Sequence, residues 1–187
     1  YDIGLGIPAE LLFRSRDLQM SLYDSGNIAF KWQDLNANSL IDGVVETFSL
    51  KVRQNGGEIE SHLDAMDAEV NVDEMHFTNI IYNLMDNAVK YSREGVPLHL
   101  IVRTWNKDRN LMISIEDNGL GIAKGDLKRI FDKFYRVHTG DRHNVKGFGL
   151  GLAYVHKMVV LHHGTIHATS ELGKGTTFTI SIPLIPN

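Results

Sequence analysis

Asn83, Asn87, Lys90 and Tyr91 recur at i, i+4, i+7 and i+8, which sets them along one face of a helix. Phe77, Ile80, Ile81, Leu84 and Ala88 take the opposite, apolar face, so such a helix has a wet working side and a buried one. An amide oxygen on the wet side is a hard, neutral donor of the kind Mg²⁺ accepts while keeping several waters. Asp117 closes a strand-like run and is followed by Gly119 and Gly121 in Asp117-Asn118-Gly119-Leu120-Gly121-Ile122. An ionised carboxylate only accepts hydrogen bonds, so it can pair with the exocyclic amine of adenine and would repel the carbonyl that guanine offers there. The two glycines permit backbone conformations closed to other residues and a close approach to a flat ring. A third segment, Gly147-Phe148-Gly149-Leu150-Gly151-Leu152, opens a helix, and a glycine-rich turn at a helix N-terminus is an anion site. Its spacing also suits a dinucleotide fingerprint, but that requires a preceding strand within a βαβ unit, and a long polar loop stands there instead.

Taken singly, each segment has an ordinary structural account: a solvated helix face, an Asp-Asn-Gly turn, a glycine-rich loop. In this order and spacing, Asn83–Tyr91, Asp117–Ile122 and Gly147–Leu152 resemble the N, G1 and G2 boxes of the ATP-binding domain of sensor histidine kinases. Phe131-Asp132-Lys133-Phe134, between the last two, looks like the F box of that family. The resemblance spans roughly residues 25 to 185. It implies that Asn87 coordinates the Mg²⁺ bridging the triphosphate, that Lys90 contacts phosphate and that Tyr91 lies against the nucleotide, with Asn83, Asn87 and Lys90 as the catalytic set. It implies that Asp117, Gly119 and Gly121 read the base, and that Gly147, Gly149, Leu150 and Gly151 surround the phosphates. The stretch from Asp132 to Phe148 then corresponds to an ATP lid, anchored at its first end by Phe131 and Phe134. Lys133, Arg136, Arg142 and Lys146 are its candidate phosphate contacts. Thr176 and Thr177, after Gly175, resemble a further short motif beside the adenine pocket.

The activity implied is transfer of the γ-phosphoryl of Mg·ATP to a histidine on a dimerisation domain of the same parent protein, and from there to an aspartate on a response regulator. The alternative is a non-catalytic nucleotide-binding or docking module of the same fold. Relatives that hydrolyse ATP on this fold place a glutamate four residues before the magnesium asparagine; here that position is Asn83, and an amide is no general base near neutral pH. None of the nine histidines stands in the phosphoacceptor context of the family, an acidic residue and then Arg-Thr-Pro, so the acceptor is expected outside this chain. Nor does their spacing match a zinc motif: His162 and His163 are adjacent and cannot share a helical face.

The bulk properties agree. The 187 residues suffice for one well-buried core. A formal charge of -4 gives no reason to expect nucleic acid. No apolar run reaches membrane-spanning length, so no direct membrane contact is expected. The absence of cysteine rules out disulfides and thiolate metal sites and fits a reducing cytoplasm. The chain starts at Tyr1 rather than methionine and reads as a fragment of something longer, and the resemblance implies a cytoplasmic part of a sensor of the kind often held in a membrane.

Residues 1–16 read as an irregular arm or a vector-derived segment, 17–27 as the remnant of a dimerisation helix and its linker, and 28–187 as the catalytic domain. Within the last, Lys31–Leu35 and Glu58–Leu63 suit strands, and Ala37–Arg53 suits a helix with Leu40, Ile41, Val44, Val45 and Phe48 inward. Asp73 suits the N-cap of the Asn83 helix. Leu98 to Thr104 and Leu111 to Ile115 alternate as strands about a turn at 106–110. Ala123 to about Ile130 suits a helix, Phe148 to about Gly164 another, and two strands close the chain around Gly173-Lys174-Gly175. The order predicts an α+β fold: a two-layer sandwich whose mixed, mostly antiparallel sheet is covered on one face by helices. Lacking the dimerisation helices, the chain is expected to be a monomer or a weak dimer.

Overall fold

The computed structural model describes residues 2–3, 7–8, 28–135, 137 and 151–186. Strands β1 (Asp2–Ile3) and β2 (Ile7–Pro8) pair antiparallel. The proposed dimerisation remnant at 17–27 lies outside the described residues. Strand β3 (Trp32–Asn36) pairs antiparallel with β5 (Glu69–Asp73) as a separate ribbon. Strand β5 has no counterpart in the sequence reading. Its alternation is only five residues long, yet Val70 and Val72 are fully buried.

Helix α1 (Ala37–Gln54) starts where the Asn36 side chain accepts from the Ser39 amide, and buries Leu40, Ile41, Val44, Val45 and Phe48 as the pattern predicts. Beyond Asn55 the chain reverses into β4 (Glu58–Leu63). Helix α2 (Glu74–Lys90) is capped by Asp73, whose carboxylate accepts from the His76 amide at 3.0 Å. A second carboxylate oxygen accepts from Lys31 N–H at 2.7 Å, so one aspartate fixes both the helix start and the ribbon.

Strands β6 (His99–Lys107) and β7 (Asn110–Asp117) form a hairpin, tighter than the predicted turn because Asp108 and Arg109 both take positive φ. A single turn of helix, α3 (Lys124–Leu127), replaces the predicted helix to Ile130: Ala123 offers no side-chain cap and Gly125 weakens the run. Helix α4 (Gly151–Leu161), β8 (Thr165–Glu171) and β9 (Gly175–Pro183) complete the chain.

The main sheet runs β4-β6-β7-β9-β8, with β4 and β6 parallel and every other pair antiparallel. Alternate residues Leu100 and Val102, Leu111, Ile113 and Ile115, and Phe178, Ile180 and Ile182 are buried, and form one core with the inner faces of α1, α2 and α4. This is the two-layer α+β sandwich expected. No helix among the described residues is long and apolar enough to cross a membrane.

Candidate nucleotide-binding site

The end of α2, the end of β7 and the start of β9 meet at a cleft of about 590 Å³, part of it open to solvent. Asn87 and Tyr91 enter it from α2, Asp117 from β7, and Thr176 and Phe178 from β9. Ile122, Ile130, Val137 and Leu152 add apolar wall, and Tyr135 stands at the side, its hydroxyl donating to Asp126. A flat apolar body with one polar edge fits such a lining.

Asp117 is the acidic group of that lining and is half-buried. One of its oxygens accepts from Gly119 N–H at 2.8 Å, and the amide of Thr176 also donates to it. Burial outweighs both donors and pushes the carboxyl up to about 6, helped by the neighbouring Glu116. It is therefore mostly ionised near neutrality, an acceptor in the cleft.

The loop after Asp117 is bound to its neighbours by backbone. Leu120 N–H donates to Tyr91 C=O at 2.9 Å, and Gly173 N–H to Leu120 C=O at 2.7 Å. The glycines serve this contact, and Gly121 also lines the cleft. A Cβ on Gly119 would lie 2.5 Å from the Tyr91 oxygen, and one on Gly121, which has φ 70°, would collide with the Glu171 carbonyl. Gly175 meets the Asp117 carbonyl in the same way.

Three residues that the sequence reading passed over hold the loop. Asn118 donates to Pro97 C=O at 3.0 Å and accepts from His99 N–H at 2.9 Å. Arg93 donates to the carbonyls of Asn118 and Gly173 at 2.8 and 2.9 Å. Ser170 Oγ accepts from Ile122 N–H at 2.7 Å, donates to Gly175 C=O at 2.8 Å and lies 2.9 Å from Thr176 Oγ1. Single polar residues that bond to distant main chain carry no periodicity, so no motif exposes them.

The remaining expectations divide. Asn83 donates to Asn79 C=O at 2.7 Å, and its oxygen lies 3.5 Å from where a Cβ on Gly151 would stand, so the first and third motifs do meet. Lys90 is not part of the cleft lining: its ammonium pairs with Asp86 at 2.6 Å, and Lys51 reaches the other oxygen at 2.9 Å. Burial would raise Asp86, but hydrogen bonds from Lys90 and Lys51 overcome it and hold the carboxyl below its ordinary value. Phe131 packs 6.3 Å from the Phe178 ring and against the core. Phe134 instead takes φ 64° and is exposed, with Lys133 Nζ 5.1 Å from its ring. Thr176 is buried at the cleft, whereas Thr177, the next residue of β9, faces the other side of the sheet. Arg136, Arg142, Lys146, Gly147, Gly149 and Leu150 lie outside the described residues.

Residues 72–186 match the family described as histidine kinase-, DNA gyrase B-, and HSP90-like ATPase. The chain is 57% identical over 170 residues to the sensor protein RprX of Bacteroides fragilis, covering 91% of this chain and 33% of that protein. It is 34% identical over 166 residues to the sensor histidine kinase WalK of Bacillus subtilis, covering 89% and 27%. The chain thus spans about a third of the length of the curated relatives it matches. The solved structure of full-length ShkA in complex with AMPPNP superposes with a TM-score of 0.78 at 24% identity, over 95% of this chain and 36% of that one. With the matched segment holding every element that builds the cleft, the chain belongs to the histidine kinase-, DNA gyrase B- and HSP90-like ATPase family.

Proposed function

We propose that the cleft binds ATP with its adenine against Asp117, and that the domain transfers the γ-phosphoryl to a histidine on a dimerisation domain of the same parent protein. The observation that carries this reading is the convergence of Asp117, Asn87, Tyr91 and Thr176 on one mostly apolar cleft. Asp117 accepts the adenine amine, the apolar walls hold the ring, and Tyr91 covers its edge. Thr176, joined to Ser170, fixes the side of the pocket beside the carboxylate.

Asn87 suits a magnesium ion: Mg²⁺ takes one or two protein oxygens alongside phosphate oxygens and water, and this neutral amide faces the open cleft. When bound, the ion neutralises charge on the phosphates. The residues of the chain supply position. Asn83, its amide bonded to the preceding turn of α2, offers no base to activate water, which leaves a nucleophilic imidazole as acceptor rather than solvent. In transfer the imidazole nitrogen forms the new bond to phosphorus as the bond to the ADP oxygen breaks.

The sensor-kinase relatives support a response regulator as the next acceptor, and the cysteine-free composition supports a cytoplasmic setting. The test is titration with a non-hydrolysable ATP analogue with and without Mg²⁺, then labelled ATP with the parent histidine domain added. Label on that domain, lost in Asp117→Asn, is the expected result. Binding without transfer would leave the docking-module reading in its place.

A further inference from the structure

Edge strand β4 carries Glu58, Glu60 and His62 at alternate positions, and its parallel neighbour β6 places His99 opposite Glu58. His99 Nε2 lies 2.8 Å from a Glu60 oxygen and 3.7 Å from a Glu58 oxygen, and His62 Nε2 lies 3.2 Å from the second oxygen of Glu60. Donor atoms of Glu58, Glu60 and His99 all fall within 4.8 Å of one another.

We propose that this outer face of the sheet is a binding site for a divalent metal of the zinc class, with His99 Nε2, Glu60 and Glu58 as ligands. Tetrahedral zinc with nitrogen and oxygen ligands sets donors about 3.3 Å apart, and His99 Nε2 stands within about half an ångström of that spacing from each carboxylate. The imidazole distinguishes the set from a magnesium site, which favours oxygen alone. The nearby Arg103 guanidinium pairs with Glu116 at 2.7 Å, which offsets its charge. The set lies apart from the nucleotide cleft, whose lining includes none of these side chains.

No sequence motif announces the site, because its ligands meet across two strands that lie some forty residues apart in the chain. Its test needs neither nucleotide nor the histidine domain. Zinc chloride alone is titrated into the metal-stripped chain by calorimetry, with the histidine ring nitrogens followed by NMR. One equivalent should bind and shift the His99 ring, and His99→Ala and Glu60→Gln should each weaken binding by about tenfold or more. Thermal unfolding checks that both exposed-face variants remain folded, and His99→Gln repeats the test with a bulkier side chain. Absence of stoichiometric binding would overturn the proposal, as would binding that both substitutions leave unchanged. Magnesium chloride binding as tightly as zinc would overturn the assigned donor class.

Discussion

The amide of Leu120 donates to the carbonyl of Tyr91 at 2.9 Å, which ties the last turn of α2 directly to the loop after Asp117. The two walls of the cleft are thus joined by main chain, and glycine is needed wherever that main chain has no room for a Cβ. Gly121 and Gly173 separate the two costs. Both have positive φ, but Gly173 faces open space whereas Gly121 abuts the Glu171 carbonyl. Gly173→Ala should cost about 1 kcal/mol, the ordinary penalty for a left-handed alanine. Gly121→Ala should cost roughly 3 kcal/mol or more and abolish nucleotide binding, since backbone must move. Urea unfolding and analogue titration on both variants measure the difference.

Asp117 should show opposite signs in stability and binding. Its folded pKa of about 6 lies above the ordinary 3.8, so its contribution to stability is fully present below 3.8 and is lost as pH rises through 6. Asp117→Asn removes that burden. At neutral pH the variant should unfold at higher urea, by about 1–2 kcal/mol, less than the full shift because an amide keeps one acceptor oxygen for two amide donors. Analogue binding should nevertheless disappear. In the wild type, affinity should fall as pH drops below about 6, where the carboxyl gains the proton that blocks the adenine amine. A flat affinity profile between neutrality and pH 5 would remove Asp117 from base recognition.

A second pH effect has the reverse direction. His162 Nδ1 faces Met158 C=O at 2.7 Å, and its Nε2 faces Asp73 N–H at 3.1 Å. A carbonyl only accepts and an amide only donates, so the ring is the neutral tautomer with its proton on Nδ1. Burial lowers its pKa, and burial also lowers that of His76, whose Nδ1 lies 2.8 Å from the Tyr154 hydroxyl. A histidine lowered in the folded state stabilises above its ordinary pKa of about 6.5 and loses that contribution as pH falls through the depressed value. Unfolding midpoints should therefore drop between pH 7 and 5, and His162→Gln should flatten that drop. An unchanged slope in the variant would show that the acid sensitivity arises elsewhere.

Much of this arrangement is legible in the amino-acid sequence. Helix α2 with its Asp73 cap, the placement of Asp117 at a strand end and the one-sided sheet follow from periodicities of 3.6 and 2 that burial then enforces. What escaped depends on contacts between distant segments. Arg93, Asn118 and Ser170 hold the loop through backbone carbonyls and amides, which leave no residue pattern. Phe134 misled because its motif pairs it with Phe131, while its left-handed backbone turns it outward. Lys90 pairs with Asp86, one turn back, a contact to which helical spacing gave no functional weight.

That last pairing sets a prediction about what Lys90 does. With its ammonium on Asp86 and Lys51 on the other oxygen, the lysine stiffens the junction of α1 and α2 rather than reaching into the cleft. Asp86 is buried while both lysines are partly exposed, so Asp86→Ala frees two ammonium groups that can return to water. The expected cost is about 1–2 kcal/mol, below that of breaking a fully buried pair. Lys90→Met should cost less, because Lys51 still neutralises the carboxylate. In the double variant the two costs should fall short of their sum, the mark of groups that act through one another. Analogue affinity should stay within about threefold of wild type in all three, a change worth under 1 kcal/mol. A loss of tenfold or more confined to Lys90→Met would instead put that ammonium on the triphosphate, and Asp86 would then be the group that aims it.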